Sequence, residues 1–270
     1  MHKTVKDTMG IQEIKSEHTI EYQCDNAADF TDCLLPTFKA WKSYHNNTWI
    51  FRGQGDSGWS LQPTVFREGS RLSYRPGQNR KHVDINYWII EQEYMMLYDF
   101  FMLADKIGLP VPAEAYKYIR NSELRHDGTS NEELYRMWPP IEMYEAIALA
   151  QHHGVPTRML DFTFNPFIAA YFAAYQAMQE KDKSGNMCVW AITRFSLQNW
   201  VGRFKEVHVR RFENKNLNEQ EGVFLIDTKV NDDIFETGSV LPFDAVAIDI
   251  LNKFKKINPT SYKHSYPVFL

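Results

Sequence analysis

The chain reads as an α+β protein, a helix-rich single domain around a small mixed or antiparallel sheet. Three observations lead there. Helical periodicity recurs through most of the chain, most clearly at 85–106. The β-branched and aromatic runs that mark strands lie mainly in the second half, and strand and helix do not alternate as a parallel βαβ sheet requires. The 270 residues are 44% hydrophobic and 14% aromatic, ample for one sizeable core, and no Pro/Gly/Ser-rich or charge-rich stretch divides them. We expect a flexible or edge segment over 1–20 and one domain over 21–270.

The elements follow from local pattern. Asn26 or Asp29 can cap a helix running toward Tyr44, with Phe30, Leu34, Phe38 and Trp41 on one side and a break at Pro36. Residues 48–51 are β-branched and aromatic and end at Gly53 and Gly55, which predicts a short strand. A polar loop over 54–82 is anchored by Trp59, Leu61 and Phe66. Residues 85–106 form the strongest helix, with Trp88, Ile89, Gln92, Met95, Met96, Phe100 and Leu103 on its buried side. Helix fragments and breaks fill 108–140, and helices are expected over 141–151 and 166–180, the second with Pro166 in its first turn. Strands are expected at 187–193, 222–227 and 245–250.

The most apolar window, 167–178, falls short of the roughly 20 residues of a membrane span. It is expected to be a buried helix, with Phe167, Ala170, Tyr171, Ala174 and Met178 on the inward stripe and Ala169 and Ala173 allowing close approach of a neighbour. The amino end lacks the apolar core of a signal peptide, so a soluble, cytoplasmic protein without a membrane partner is expected. A net charge of −4 gives no basic footprint for duplex nucleic acid. Cys24, Cys33 and Cys188 are too few and scattered for a disulfide frame or zinc ribbon and read as free thiols.

Three polar constellations carry the chemistry. At the end of the first strand, Arg52 leaves into Gly53-Gln54-Gly55. A guanidinium there can present a fork to carboxylate or phosphate, and the glycines can admit a ligand closely; equally, Arg52 can pair a core carboxylate and fix the turn. The second is 151–163, which connects two apolar helices and holds His152, His153, Arg158, Asp161 and Thr163. Such polar density beside buried helices is costly unless the groups satisfy one another or a ligand. Adjacent histidines point about 100° apart on a helix, so a shared metal is disfavoured and no metal site is expected. Arg158 can pair Asp161 three residues on, and Thr163 can cap the helix at Pro166. The third is Glu219-Gln220-Glu221 before a strand, either a solvated turn or a carboxylate and amide at the lip of a sheet.

These pieces, in this order, resemble the FRG domain family, named for the motif that Phe51, Arg52 and Gly53 carry here. The likeness continues through Trp59, Leu61, Pro63, Arg67 and Glu91. It then runs through Gln-His-His-Gly-Val-Pro-Thr-Arg-Met-Leu-Asp-Phe-Thr-Phe-Asn-Pro from Gln151 to Pro166, on to Ala170-Tyr171-Phe172-Ala173, and ends with Gln220, Gly222 and Phe224, spanning about 27–265. Phe162 stands where Trp is common, and Asn216 where Arg is expected. The family is mainly bacterial and phage-borne. More distantly, the layout is similar to ADP-ribosyltransferases. That likeness implies NAD as substrate, with no metal cofactor. It maps the phosphate-holding arginine to Arg52, the nicotinamide-ribose pocket to Asp161 with Thr163, and the completing residue to Gln220 or Glu221. The candidate set is then Asp161, Gln220 and His153 at the chemistry, with Arg52, Gly53, Gln54, His152, Arg158, Thr163 and Glu221 around a nucleotide or other phosphate-bearing small molecule. It implies a transferase or glycohydrolase effector; a non-catalytic module capturing a nucleotide or phospho-ligand, in defence or regulation, is the alternative.

Overall fold

A computed structural model describes residues 4–6, 10–41, 49–67, 85–121, 132–179, 185–194, 197, 202–209, 221–257 and 268–269. Its strands are β1 (Thr4–Lys6), β2 (Ile11–Lys15), β3 (Ile20–Cys24), β4 (Trp49–Gln54), β5 (Met159–Thr163), β6 (Cys188–Thr193), β7 (Phe204–Val207), β8 (Gly222–Asp227) and β9 (Val268–Phe269). Its helices are α1 (Ala27–Leu34), α2 (Ile85–Lys106), α3 (Ala113–Asn121), α4 (Glu132–Arg136), α5 (Tyr144–His152), α6 (Pro166–Gln179), α7 (Val230–Thr237) and α8 (Phe243–Ile257). The strands form one nine-stranded sheet in the order β1-β2-β3-β9-β6-β4-β5-β8-β7. Every described pairing is antiparallel except β3 with β9. The α+β class stands, with the sheet wider than the sequence pattern suggested.

Alternation along the strands sorts the interior into three clusters. Ile50, Leu160, Phe162, Ile192, Val223 and Leu225 face α8, which presents Phe243, Val246 and Ala247. On the opposite face, Met159, Phe224 and Ile226 pack with Ile90, Tyr94 and Leu97 of α2 and with Ile147 of α5. Phe51, Val189 and Ala191 occupy that second face farther along the sheet, against Ala169 of α6 and Cys33 and Leu34 of α1. Period-two side-chain direction thus supplies both faces of the central strands with apolar groups.

Two halves of the sheet meet at β4 and β5. β4 pairs β6 through six residues, and β5 pairs β8 through five, yet β4 and β5 share the single register pair Phe51↔Thr163. The seam is backed by α6, whose close approach to β4 depends on Gly53. A Cβ there would lie 1.9 Å from the Ala169 carbonyl oxygen and 2.7 Å from the Ala173 nitrogen.

The structure corrects several expectations. The 245–250 run lies inside α8, not in a strand; Phe243, Val246, Ala247 and Leu251 recur at helical spacing, which a short apolar window hides. Residues 159–163 form a central strand, not part of a helix-to-helix connection. On α2 the buried stripe is Ile90, Tyr94, Leu97 and Phe101, one position off the expected one, and Leu103 is exposed. On α6 the expected inward stripe is largely outward: Phe167, Tyr171 (64% exposed) and Met178 (77%) face solvent, while Ala169 and Ala173 are buried. Contact with glycine backbone selects the small residues, and the bulky ones turn away. Among the described residues no helix is long and apolar enough to cross a membrane.

Candidate functional site

Beside the seam opens a cleft of about 380 Å³ lined by Phe51, Arg52, Gly53, Gln151, His152, Asp161, Phe162, Thr163, Ala169, Phe172, Gln176 and the 222–224 segment. Its polar centre is Arg52 and Asp161. Arg52 is 7% exposed, and its Nη1 donates to the Asp161 carbonyl oxygen at 2.8 Å and to Oδ1 at 2.6 Å. Its Nε is buried without a hydrogen-bond partner among the described residues. The Asp161 side chain, ringed by protein groups, still leaves 59% of its surface accessible on the cleft side. Burial pushes its pKa up, but Arg52, by charge and by hydrogen bond, with help from Arg67, holds it below the usual carboxylate range.

The amide of Gln151 is oriented by Thr157, whose hydroxyl donates to Oε1 at 2.5 Å; this turns Nε2 toward Asp161 Oδ1, 3.4 Å away. Gln176 accepts from the Gly55 N–H at 3.1 Å and so ties α6 to the end of β4. Arg67 follows the short helical turn Thr64–Phe66, and its Nε donates to the Gln62 carbonyl at 2.9 Å. Its pKa is lowered, first by burial and then by the positive charge of Arg52, while Asp161 pulls the other way. Two guanidinium groups therefore share the field of one carboxylate.

The sequence-predicted residues divide into three groups. Arg52, Gly53, His152, Asp161 and Thr163 line the cleft. The pKa of His152 is lowered by burial and then by His153. Thr163 Oγ1 accepts from the Asn165 N–H, and Asn165 Oδ1 in turn accepts from the Phe167 N–H, so the cap of α6 is Asn165 rather than Thr163.

A second group lies elsewhere. Arg158 is 2% exposed and does not pair Asp161. Its Nε donates to Glu93 at 2.6 Å, and its Nη1 donates to the Trp138 carbonyl and to Asn231 Oδ1. Arg158 lies in the bend before β5, and its side chain runs to α2, to Asn231 and to the Trp138 carbonyl instead of to the cleft. Gln54 is held by Trp190 Nε1 at 2.6 Å and by the Ser60 carbonyl. His153 is exposed and sits against the Phe100 ring, 5.8 Å between centroids, outside the cleft lining. Glu221 adopts a left-handed turn conformation with φ 46° and is exposed beside the lining residues 222–224, as the solvated-turn reading of this segment has it.

Gln220, the third case, lies outside the described residues. Arg67 and Gln151 were not singled out as site residues. Their only signal was membership of the family-like blocks, because neither spacing nor composition reveals which loop arginine adds its charge to the field of Asp161.

The FRG domain family profile matches residues 47–183, just over half of the chain, and the chain belongs to that family. The match takes in Arg52, Arg67, Gln151 and Asp161 but ends before Gln220 and Glu221. No match was found among curated proteins or among solved structures.

Proposed function

We propose that the cleft binds an anionic nucleotide, with NAD as the substrate class that suits it, and that the protein acts as an ADP-ribosyltransferase-like or glycohydrolase-like effector. The observation that carries this reading is Arg52, a buried guanidinium on the cleft wall whose Nε has no partner among the described residues, beside an Asp161 carboxylate open to the cleft. A buried guanidinium N–H without a partner is costly until an acceptor satisfies it. A phosphate suits that need, because guanidinium binds it through parallel charge-assisted hydrogen bonds. The cleft volume falls in the range of small-molecule sites. An ionised Asp161 then suits stabilisation of the cationic transition state of glycosidic cleavage. A role as a bacterial toxin or anti-phage effector accords with such chemistry.

One observation favours the second reading, a non-catalytic module for a nucleotide or phospho-ligand. The charge of Asp161 is already engaged by Arg52. Calorimetric binding of NAD and turnover of labelled NAD, both on wild type and Arg52→Lys, separate the cases. Arg52→Lys is expected to weaken NAD binding by about tenfold or more, roughly 1.4 kcal/mol, because lysine offers a point charge in place of a fork. Undiminished NAD binding by the variant overturns the anion-fork role; binding without turnover in wild type leaves the module reading.

A further inference from the structure

Away from the seam, Cys24 closes β3 and Cys33 lies in α1, where their sulfurs are 3.5 Å apart. Both are free thiols. A disulfide bond is about 2.05 Å long, so the pair needs a further approach of only about 1.5 Å. The two thiols are not equivalent. Cys24 is half-buried and lines a cleft of about 370 Å³ with Gln23, Asp25, Phe30 and Ser57; Cys33 is fully buried behind it.

We propose that Cys24 and Cys33 form a peroxide-reactive dithiol, with Cys24 the attacking and Cys33 the resolving thiol, that closes to a reversible disulfide. Cys24 is reachable from solvent and has its resolving partner in contact, the arrangement of redox-sensing cysteines. In the first step the Cys24 thiolate attacks the outer oxygen of a hydroperoxide. The O–O bond breaks, an alkoxide (hydroxide from hydrogen peroxide) leaves and takes a proton, and Cys24 becomes a sulfenic acid. The Cys33 sulfur then attacks the Cys24 sulfur, the S–O bond breaks, and water leaves carrying the Cys33 proton. Two thiols and one hydroperoxide give one disulfide, one alcohol and one water. A thiol reductant reverses the bond by exchange.

The electrostatics agree with this assignment. The hydrogen bond from Cys33 lowers the Cys24 pKa against the opposing effects of burial, Asp29 and Asp25, whereas Cys33 is raised by the same contact and by burial. Cys188 lines the same cleft but is buried, and burial with nearby Asp56 pushes its thiol up to about 12, which makes it a poor nucleophile.

The test is peroxide titration of the full chain, read by intact mass and non-reducing peptide mapping. One equivalent of hydrogen peroxide is expected to leave wild type ~2 Da lighter, with Cys24 linked to Cys33 and Cys188 still reduced, and dithiothreitol to restore the mass. Cys33→Ser is expected to stop at a sulfenic acid on Cys24, ~16 Da heavier and trapped by dimedone. In Cys24→Ser, Cys33 is expected to stay reduced at the same dose. Wild type that keeps all three thiols, oxidises first at Cys188, or passes to sulfinic acid at Cys24 with Cys33 intact overturns the proposal.

Discussion

Asp161 occupies the position in β5 where alternation points a side chain away from Leu160 and Phe162 and toward the gap between α5 and α6. Its charge is set by Arg52, and the sign of the pH effect follows. Because the folded carboxyl titrates below its unfolded value, its contribution to stability is complete above about pH 4 and is lost as pH falls through the folded pKa. The stability difference between wild type and Asp161→Asn, from urea melts, is therefore expected to narrow as pH drops below about 4; a gap that stays constant to about pH 2 contradicts the ion pair. Asp161→Asn is also expected to tighten NAD binding, since it removes the carboxylate competing for Arg52, while ending any turnover. At this scale the sequence exposed Arg52 and Asp161 as polar residues beside apolar runs. Their pairing across 109 residues was not legible, and the nearer candidate, Arg158, is taken up by Glu93 and Asn231.

At the scale of the element, Gly53 links the motif to the packing of α6 on β4. The sequence reads the glycines as room for a ligand; the contact with Ala169 shows that Gly53 chiefly makes room for a helix, although it also borders the cleft. Gly53→Ala is expected to push α6 outward and destabilise the protein by about 1–3 kcal/mol, measured by thermal and urea melts. A variant as stable as wild type shows that α6 gives way freely. The limits of α6 were read closely because Pro166 marks its start. Ala169 and Ala173 are the close-approach positions the sequence offers, but they, and not the bulky Tyr171 and Met178, form the inward face, because close backbone contact favours small side chains over apolar bulk.

Across the whole molecule, Arg158 joins α2, α7 and the chain at Trp138 through Glu93, which is 0% exposed, and Asn231. Such a pair is costly to halve. Glu93→Ala is expected to cost about 3–5 kcal/mol in urea unfolding, because it strands the Arg158 charge. A paired Glu93→Leu, Arg158→Met replacement is expected to recover most of that loss. A loss under about 1 kcal/mol for Glu93→Ala shows that solvent reaches Arg158. The α+β class was legible from periodicity alone, and so were α2, α5, α6, β4, β6 and β8. The nine-strand order was not, because β9 enters beside β3 and β6 from the far end of the chain.

The single register pair at the seam has a kinetic consequence. A strand interior normally keeps its amide hydrogens for as long as the sheet stays intact, but the backbone ladder between β4 and β5 has the single pair Phe51↔Thr163, with the Arg52–Asp161 side-chain contact beside it. Amides at that junction are expected to exchange with deuterium faster than those of the fully paired β4–β6 and β5–β8 ladders. A ligand held by Arg52 on one half-sheet and by Thr163 on the other, both on the cleft wall, acts as a clamp across it. Bound NAD is thus expected to slow exchange at Phe51 and Thr163 more than anywhere else in the sheet, and mass-resolved exchange with and without the nucleotide reads that protection directly.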